Sequence, residues 1–135
     1  MIGSQRLRTV SAVGDAFPLY CTANGKAYLA ELDDDAIAAL IGTSYKPRTP
    51  HTITQFKTLL EEIHAIRRNG YALDSEEHTL GICAAGVAIR DLLGNYVAIS
   101  VPVPALRFQK ERSDICERLL ATKRVLEGHL STTNT

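Results

Sequence analysis

The amino-acid sequence predicts an α+β fold built on an antiparallel sheet with flanking helices. Two apolar stretches, "GICAAGVAIRD" and "YVAISVPVP", are separated by a short turn sequence, as in a β-hairpin. Apolar residues at helical spacing fill the long runs before and after this hairpin. Neighbouring hairpin strands, with the helices grouped in runs, are typical of α+β proteins with an antiparallel sheet.

The first third of the chain predicts a short strand and two short helices. "QRLRTVSAV" alternates polar and apolar residues and is read as the strand. "GKAYLAELDDDAIAALIG" has helical spacing, with two helices meeting near Leu32. Asp33 is the expected N-cap of the second helix, and Gly42 its expected end.

The segment "TITQFKTLLEEIHAIRRNG" predicts the long central helix. Thr52 and Gln55 have the spacing of a capping box, and Gly70 supplies a left-handed stop. One apolar face repeats at i, i+3, i+4 and i+7; its members are Phe56, Leu59, Leu60, Ile63 and Ile66. This face is expected to cover the hairpin.

The last third predicts three strands and a closing helix. "YALDSEEH" begins with a strand, and Gly94 and Asn95 suit a tight turn in the hairpin. Pro102 and Pro104 lack the backbone donor of a ladder, so pairing is expected to stop near Pro102 and leave a mouth beside Ser100.

The amphipathic stretch "QKERSDICERLLATKRVLEGHL" predicts the final helix. Its core-facing residues are expected to be Ile115, Leu119, Leu126 and Leu130. Residues 131–135, "STTNT", are expected to form a disordered tail, so the domain spans residues 1–130.

Composition excludes several classes of protein. The 135 residues suit one domain, and 15 basic residues balance 15 acidic ones. This neutral balance argues against a basic nucleic-acid binder and a polybasic membrane anchor. No apolar run approaches the roughly 20 residues of a membrane span. Three separated cysteines and four histidines without ligand spacing predict no metal, no cofactor and a reducing cytoplasm.

The Gly25-Lys26 pair is not a phosphate-binding loop. Such a loop has glycine five positions before the Gly-Lys pair and Ser or Thr after it, where this chain has Tyr20 and Ala27. The start of the helix around Ala23 can instead hold a small carboxylate on backbone N–H groups.

Two simpler alternatives remain open on the residues alone. The helix start around Ala23 is equally well explained by a Thr22 side-chain cap. The carboxylates of Asp74, Glu76 and Glu77, with Cys21, could serve a small enzyme as acid–base groups and a nucleophile. A solvated turn explains these three carboxylates better than a catalytic pair does.

Three stretches of the chain resemble the effector-binding domain of IclR-family bacterial transcription regulators. They are "GDAFPLYCTANGKAYLAEL", "TITQFKTLLEEIHAIRRNGYALDSEEHTLGICAAGVAIRD" and "GNYVAISVPVPALRF". The resemblance implies a GAF-like domain that binds a small organic acid effector, has no catalytic residues, and assembles as a homodimer or tetramer. It also implies that operator DNA is bound only through a winged helix-turn-helix absent from this chain.

The resemblance also implies the site residues. Backbone N–H groups of Ala23 and Asn24 are expected to hold the effector carboxylate, with Asp74 and Ser100 as polar partners. The apolar wall is expected at Phe17 and Ile82. A polar or cysteine position of the family falls on Ala84, although a one-residue slip would place Cys83 there.

The chain departs from the family pattern in chemistry and in length. Ala84 and Pro102 replace polar positions, which predicts a ligand larger or less polar than glyoxylate or pyruvate, such as an aromatic or aliphatic acid. Family members run to about twice this length, so the sequence is read as a partial domain whose sheet edge pairs with another copy. The alternative is a stand-alone module that forms mixed oligomers with full-length regulators.

Overall fold

The computed structural model describes residues 7–9 and 18–133 of the chain, and the side chains of residues 18–128. The elements in chain order are β1 (Leu7–Thr9), α1 (Ala23–Leu29), α2 (Asp34–Ile41), α3 (Phe56–Asn69), β2 (Ala72–Ser75), β3 (Ile82–Arg90), β4 (Tyr96–Pro104) and α4 (Ala105–Thr133). The α+β class predicted from the sequence is confirmed.

The sheet has the strand order β1-β4-β3-β2. Strands β2, β3 and β4 form an antiparallel meander, as predicted. Strand β1 adds to the other side of β4 in parallel, along Tyr96–Ala98 only. The predicted first strand is thus described over three residues, and its remainder lies outside the described residues.

Strand β4 does not stop pairing at Pro102, so that prediction was wrong. Its register with β3 continues until Ile82 pairs with Pro104. The N–H of Ala105 donates to the Gly81 carbonyl at 2.8 Å, so odd-numbered residues of β4 direct their N–H groups toward β3. The nitrogens of Pro102 and Pro104 face the opposite edge of β4. On that edge β1 pairs only with Tyr96–Ala98, so the prolines replace no N–H that would bond to a neighbouring strand.

The two faces of the sheet are covered by α1 and α4. Alternating residues of β3, such as Val87 and Ile89, pack with Phe108 and Leu119 of α4. Residues of the opposite register, such as Ala88, pack in the cluster formed with α1. The prediction that α3 covers the hairpin was wrong: its buried face packs against α1, because periodicity shows that a helix has an apolar face but not what it meets.

Most predicted helix ends are confirmed. Asp33 caps α2, its Oδ1 accepting the Ala36 N–H at 2.8 Å, and Gly42 ends this helix with φ of 76°. Gly70 ends α3 in the left-handed region, with φ of 87°. The capping box was wrong: α3 begins after Gln55 without a side-chain cap, and the Thr52 hydroxyl donates to the Glu77 carbonyl instead.

Helix α4 is longer than predicted. It begins directly after Pro104 and continues over residues 131–133, part of the segment expected to be a disordered tail. Residues 134 and 135 lie outside the described residues, and a domain boundary at 130 stays a prediction. Ile115 and Leu119 are buried as expected, whereas Leu126 is 39% exposed, so its assignment to the core was wrong. The Leu130 side chain is not described.

Candidate functional site

A cavity of about 170 Å³ lies between the start of α1 and the sheet. Six of the eight predicted site residues line it: Ala23, Asn24, Asp74, Ile82, Ala84 and Ser100. Phe17 lies outside the described residues. Cys83 lies on the other face of the sheet, packed in the cluster with α4, so the one-residue slip that would bring it into the site is wrong.

The register of the sheet explains why these side chains meet. Asp74 on β2, Ala84 on β3 and Pro102 on β4 are direct neighbours in one row across the sheet. Ser100 pairs with Gly86 two residues further along β3, so its side chain points to the same face. The two departures from the family pattern, Ala84 and Pro102, are therefore adjacent and together form an apolar floor.

Gly86 lets the start of α1 approach the sheet. A Cβ placed on it would lie 2.9 Å from the carbonyl carbon of Ala23 and 3.0 Å from the backbone nitrogen of Asn24. Real Cβ atoms essentially never come closer than 3.0 Å to another heavy atom, so a side chain at this position would force α1 or β3 to shift. Gly86 is not among the residues predicted from the sequence, although an isolated glycine inside a strand pattern indicates close backbone approach.

The Thr22 cap is compatible with a carboxylate held on backbone N–H groups at the start of α1. The Thr22 hydroxyl accepts the N–H of Gly25 at 3.1 Å and donates to the Pro18 carbonyl at 2.8 Å. The cap therefore serves the third N–H of α1. The first two N–H groups belong to Ala23 and Asn24, both of which line the cavity.

Asp74 is the buried carboxylate of the cavity, with 6% of its surface exposed. Burial raises the pKa of its carboxyl. The backbone N–H of Glu77, which donates to Asp74 Oδ1 at 2.8 Å, and the charge of Lys26 both oppose this rise in pKa. A desolvated acceptor of this kind favours a partner that brings a hydrogen-bond donor.

The other two carboxylates of the "DSEEH" turn face away from the cavity. Glu76 has a left-handed backbone, with φ of 58°, and its Oε1 accepts the Gly81 N–H at 2.8 Å. Glu77 is buried and holds the ammonium of Lys26. Among the described residues, Asp74 is thus the one carboxylate that lines the cavity, without a second for acid–base catalysis.

Cys21 also fails as the nucleophile of the enzyme alternative. Its side chain is fully buried, and burial raises the pKa of the thiol to about 12. A thiol with such a pKa does not supply the thiolate that nucleophilic catalysis needs. The groups that the small-enzyme alternative requires are therefore not brought together among the described residues.

His78 and Thr79 line the cavity although the sequence analysis did not select them. Both follow the "DSEE" stretch in the turn between β2 and β3, and the Nδ1 of His78 lies 3.0 Å from the Thr79 hydroxyl. A lone exposed histidine gives no sequence signal for a site.

Across the described residues, no three metal-ligating side chains gather into a site for an ion. In the same part of the chain, no helix is both long and apolar enough to cross a membrane.

Comparison with known proteins identifies the family of the chain. The family model "Bacterial transcriptional regulator IclR C-terminal" matches residues 1–126. The transcriptional regulator Rv1719 of Mycobacterium tuberculosis is 47% identical over 121 residues, which cover 90% of this chain and 47% of that protein. The chain spans about half the length of the curated relatives it matches or less.

Solved structures show the same fold. The C-terminal domain of Escherichia coli KdgR aligns with a TM-score of 0.76 at 35% identity, covering 87% of this chain and 73% of that domain. The inducer-binding domain of Acinetobacter PobR, a double mutant in complex with 3-hydroxybenzoic acid, aligns with a TM-score of 0.75 at 30% identity, covering 86% and 69%. These relatives are transcription regulators and not enzymes. The chain belongs to the IclR family of bacterial transcriptional regulators and corresponds to its C-terminal domain.

Proposed function

We propose that this domain binds a small organic acid as the effector of an IclR-family regulator. The observation that carries the proposal is the cavity itself: residues expected at an effector site, from α1 and three different strands, surround one space of about 170 Å³. The N-terminus of α1 supplies backbone N–H groups on one side. Asp74 and Ser100 supply side-chain hydrogen-bonding groups on the other.

The size and floor of the cavity favour a ligand with an apolar body. An engineered protein cavity of about 150 Å³ binds benzene. The present cavity of about 170 Å³ therefore fits a single ring or a short aliphatic chain. Ile82, Ala84 and Pro102 provide apolar contacts. A double mutant of the PobR inducer-binding domain, a structural neighbour, forms a complex with 3-hydroxybenzoic acid, and we infer a ligand of the same size class here.

The charges of the cavity orient such a ligand. The carboxylate would lie on the N–H groups of Ala23 and Asn24, where the helix dipole favours an anion. Placing it beside Asp74 would bring two negative charges together in a buried space. Asp74 therefore suits a hydroxyl or another donor at the opposite end of the ligand.

Effector binding would act on DNA through a winged helix-turn-helix in another part of the regulator. The proposal places the protein in the cytoplasm, where operator DNA is found, and makes it a homodimer or tetramer. Light scattering of this domain with and without ligand would test the assembly. A monodisperse monomer in both states would contradict that part of the proposal.

A thermal-shift screen against aromatic, aliphatic and keto acids tests effector binding. A ligand that binds only the folded protein stabilises it by about 2.7 kcal/mol at a hundred times its dissociation constant. Asp74→Asn and Ser100→Ala should reduce the shift. Asp35→Asn and Ser113→Ala, matched changes at exposed positions, should leave it unchanged. Lack of any shift in a cooperatively unfolding protein would overturn the proposal.

A further inference from the structure

We infer that the buried ion pair between Lys26 and Glu77 positions the two walls of the effector cavity against each other. Both are positioning residues, since neither lines the cavity. The inference rests on the proposed effector function and adds to it an ion pair that links the two walls, beside the contact of Ala23 with Gly86.

Lys26 is a fully buried cation held by two carboxylates. Its side chain has no exposed surface, and its Nζ lies 2.8 Å from Glu77 Oε1 and also bonds Glu62 of α3. Removing a buried charge's partner is strongly unfavourable, because the remaining charge is left desolvated and unpaired. The Lys26–Glu77 contact is therefore expected to persist as the surrounding loops fluctuate.

Lys26 and Glu77 are each directly connected to a residue that lines the cavity. Lys26 lies three residues after Ala23 on α1, so the two are neighbours on one helix face. Glu77 donates its own N–H to Asp74 Oδ1, and its Oε2 accepts the N–H of Ser75 at 3.1 Å. The ion pair thus links the carboxylate-binding end of the cavity to its Asp74 end.

The turn that carries Glu77 also contacts the segment between α2 and α3. The hydroxyls of Thr49 and Thr52 donate to the carbonyls of Glu76 and Glu77, each at 2.6 Å. These contacts fix the turn to the segment between α2 and α3. They do not fix it to α1, which the ion pair does.

The length of an acid therefore determines how strongly its affinity for the domain depends on the Lys26–Glu77 ion pair. An acid that reaches from Ala23 to Asp74 contacts both walls and senses their separation. An acid too short to reach Asp74 contacts only the α1 wall. A merely structural role for the ion pair would weaken both acids equally, through stability alone.

The central variant is Glu77→Gln. Glutamine keeps an acceptor for the Ser75 N–H and removes the charge facing Lys26, which retains Glu62 as a partner. The variant is therefore expected to fold. Glu76→Gln is the matched control, since Glu76 bonds Gly81 and not Lys26.

Calorimetric titration should give roughly tenfold weaker binding of a wall-spanning acid to Glu77→Gln, the loss expected for a charged hydrogen bond. A short acid should bind nearly as it does to the wild type. Glu76→Gln should change neither affinity. The double variant Lys26→Met with Glu77→Gln removes the charge pair, and should recover thermal stability without recovering affinity for the spanning acid.

Amide hydrogen exchange in ligand-free protein provides a readout that needs no effector. Relative to the intrinsic rate of each sequence, the residue-77 N–H, which donates to Asp74, should be less protected in Glu77→Gln and as protected as in the wild type in Glu76→Gln. Unchanged exchange in both variants, or equal loss of short and spanning acids, would overturn the positioning role. A wild-type protein that binds no acid would instead contradict the proposed function, while the exchange comparison still decides the positioning role.

Discussion

The backbone of Ala23 at the start of α1 rests directly on Gly86 of β3, closer than any residue with a side chain allows. The position of the N–H groups proposed to bind the effector therefore depends on Gly86, which has no Cβ. Gly86→Ala should displace this end of α1. We expect a loss of about 1–3 kcal/mol in the free energy of unfolding, typical of overpacking, together with weaker ligand binding.

Chemical denaturation and ligand titration of Gly86→Ala would measure both effects. Gly128→Ala is the matched control, because a Cβ at Gly128 in α4 meets no described atom within 4 Å outside the helix's own backbone. That substitution replaces glycine by alanine in a helix and should stabilise the protein by up to about 1 kcal/mol. Wild-type affinity in Gly86→Ala would show that the close approach is not needed for the site.

Asp74→Asn should stabilise the ligand-free protein at neutral pH. Burial raises the pKa of Asp74 above its ordinary value of 3.8, so the folded state binds this proton more tightly than the unfolded state does. The resulting destabilisation is absent below the unfolded pKa and complete above the folded pKa. Each unit of the rise corresponds to about 1.4 kcal/mol.

The difference in melting temperature between Asp74→Asn and the wild type should therefore be positive at pH 7 and shrink as the pH falls toward about 4. Asp35→Asn removes the same charge from the exposed first turn of α2, where acidic side chains favour the helix, and should not stabilise. A less stable Asp74→Asn at pH 7 would mean that the carboxylate contributes more to the fold than its burial costs.

Sequence reasoning succeeded where the information is local. The ends of α2 and α3 follow from Asp33, Gly42 and Gly70, whose chemistry is decided within one helical turn. The cavity residues followed from a resemblance covering most of the chain. Burial of Asp74 and its place beside Ala84 then required the strand register, which no single segment contains.

The failures concern partners distant in the chain. Thr52 has the spacing of a capping box, but its hydroxyl serves a carbonyl 25 residues later. Lys26 is a polar residue in an apolar run, and nothing nearby indicates that Glu77, 51 residues later, neutralises it. Prolines in β4 argued for an early strand end because the sequence does not show which edge of a strand lacks a neighbour.

Ala84→Leu should block the proposed site while leaving the domain folded. The larger side chain would extend into the cavity of about 170 Å³, an open space that needs less rearrangement than a packed core. Affinity for any acid that binds the wild type should fall strongly, with a loss in unfolding free energy near the lower end of the range of about 1–3 kcal/mol for an enlarged buried side chain.

The matched control for this substitution is Ala121→Leu, on the exposed surface of α4. It should keep wild-type affinity. If Ala84→Leu also binds the acid with wild-type affinity, the ligand occupies another part of the domain, and the assignment of the cavity is wrong.

All three cysteines should resist thiol reagents until the protein unfolds. Cys21, Cys83 and Cys116 are buried, and burial raises the pKa of each thiol, to about 12 for Cys21. Because the thiolate is the reacting species, Ellman's reagent at pH 8 should release almost no colour from folded protein. In denaturant it should report the three thiols of the chain.

If one thiol reacts rapidly in the folded protein and this reaction is lost in Cys21→Ala, then Cys21 is reactive enough to act as a nucleophile. Slow reaction that tracks global unfolding, with the same denaturant dependence as the loss of helix signal, would show that Cys21 only fills the core. In that case Cys21→Ala should leave effector affinity unchanged and cost about 1 kcal/mol or more of stability, since a small buried side chain is lost.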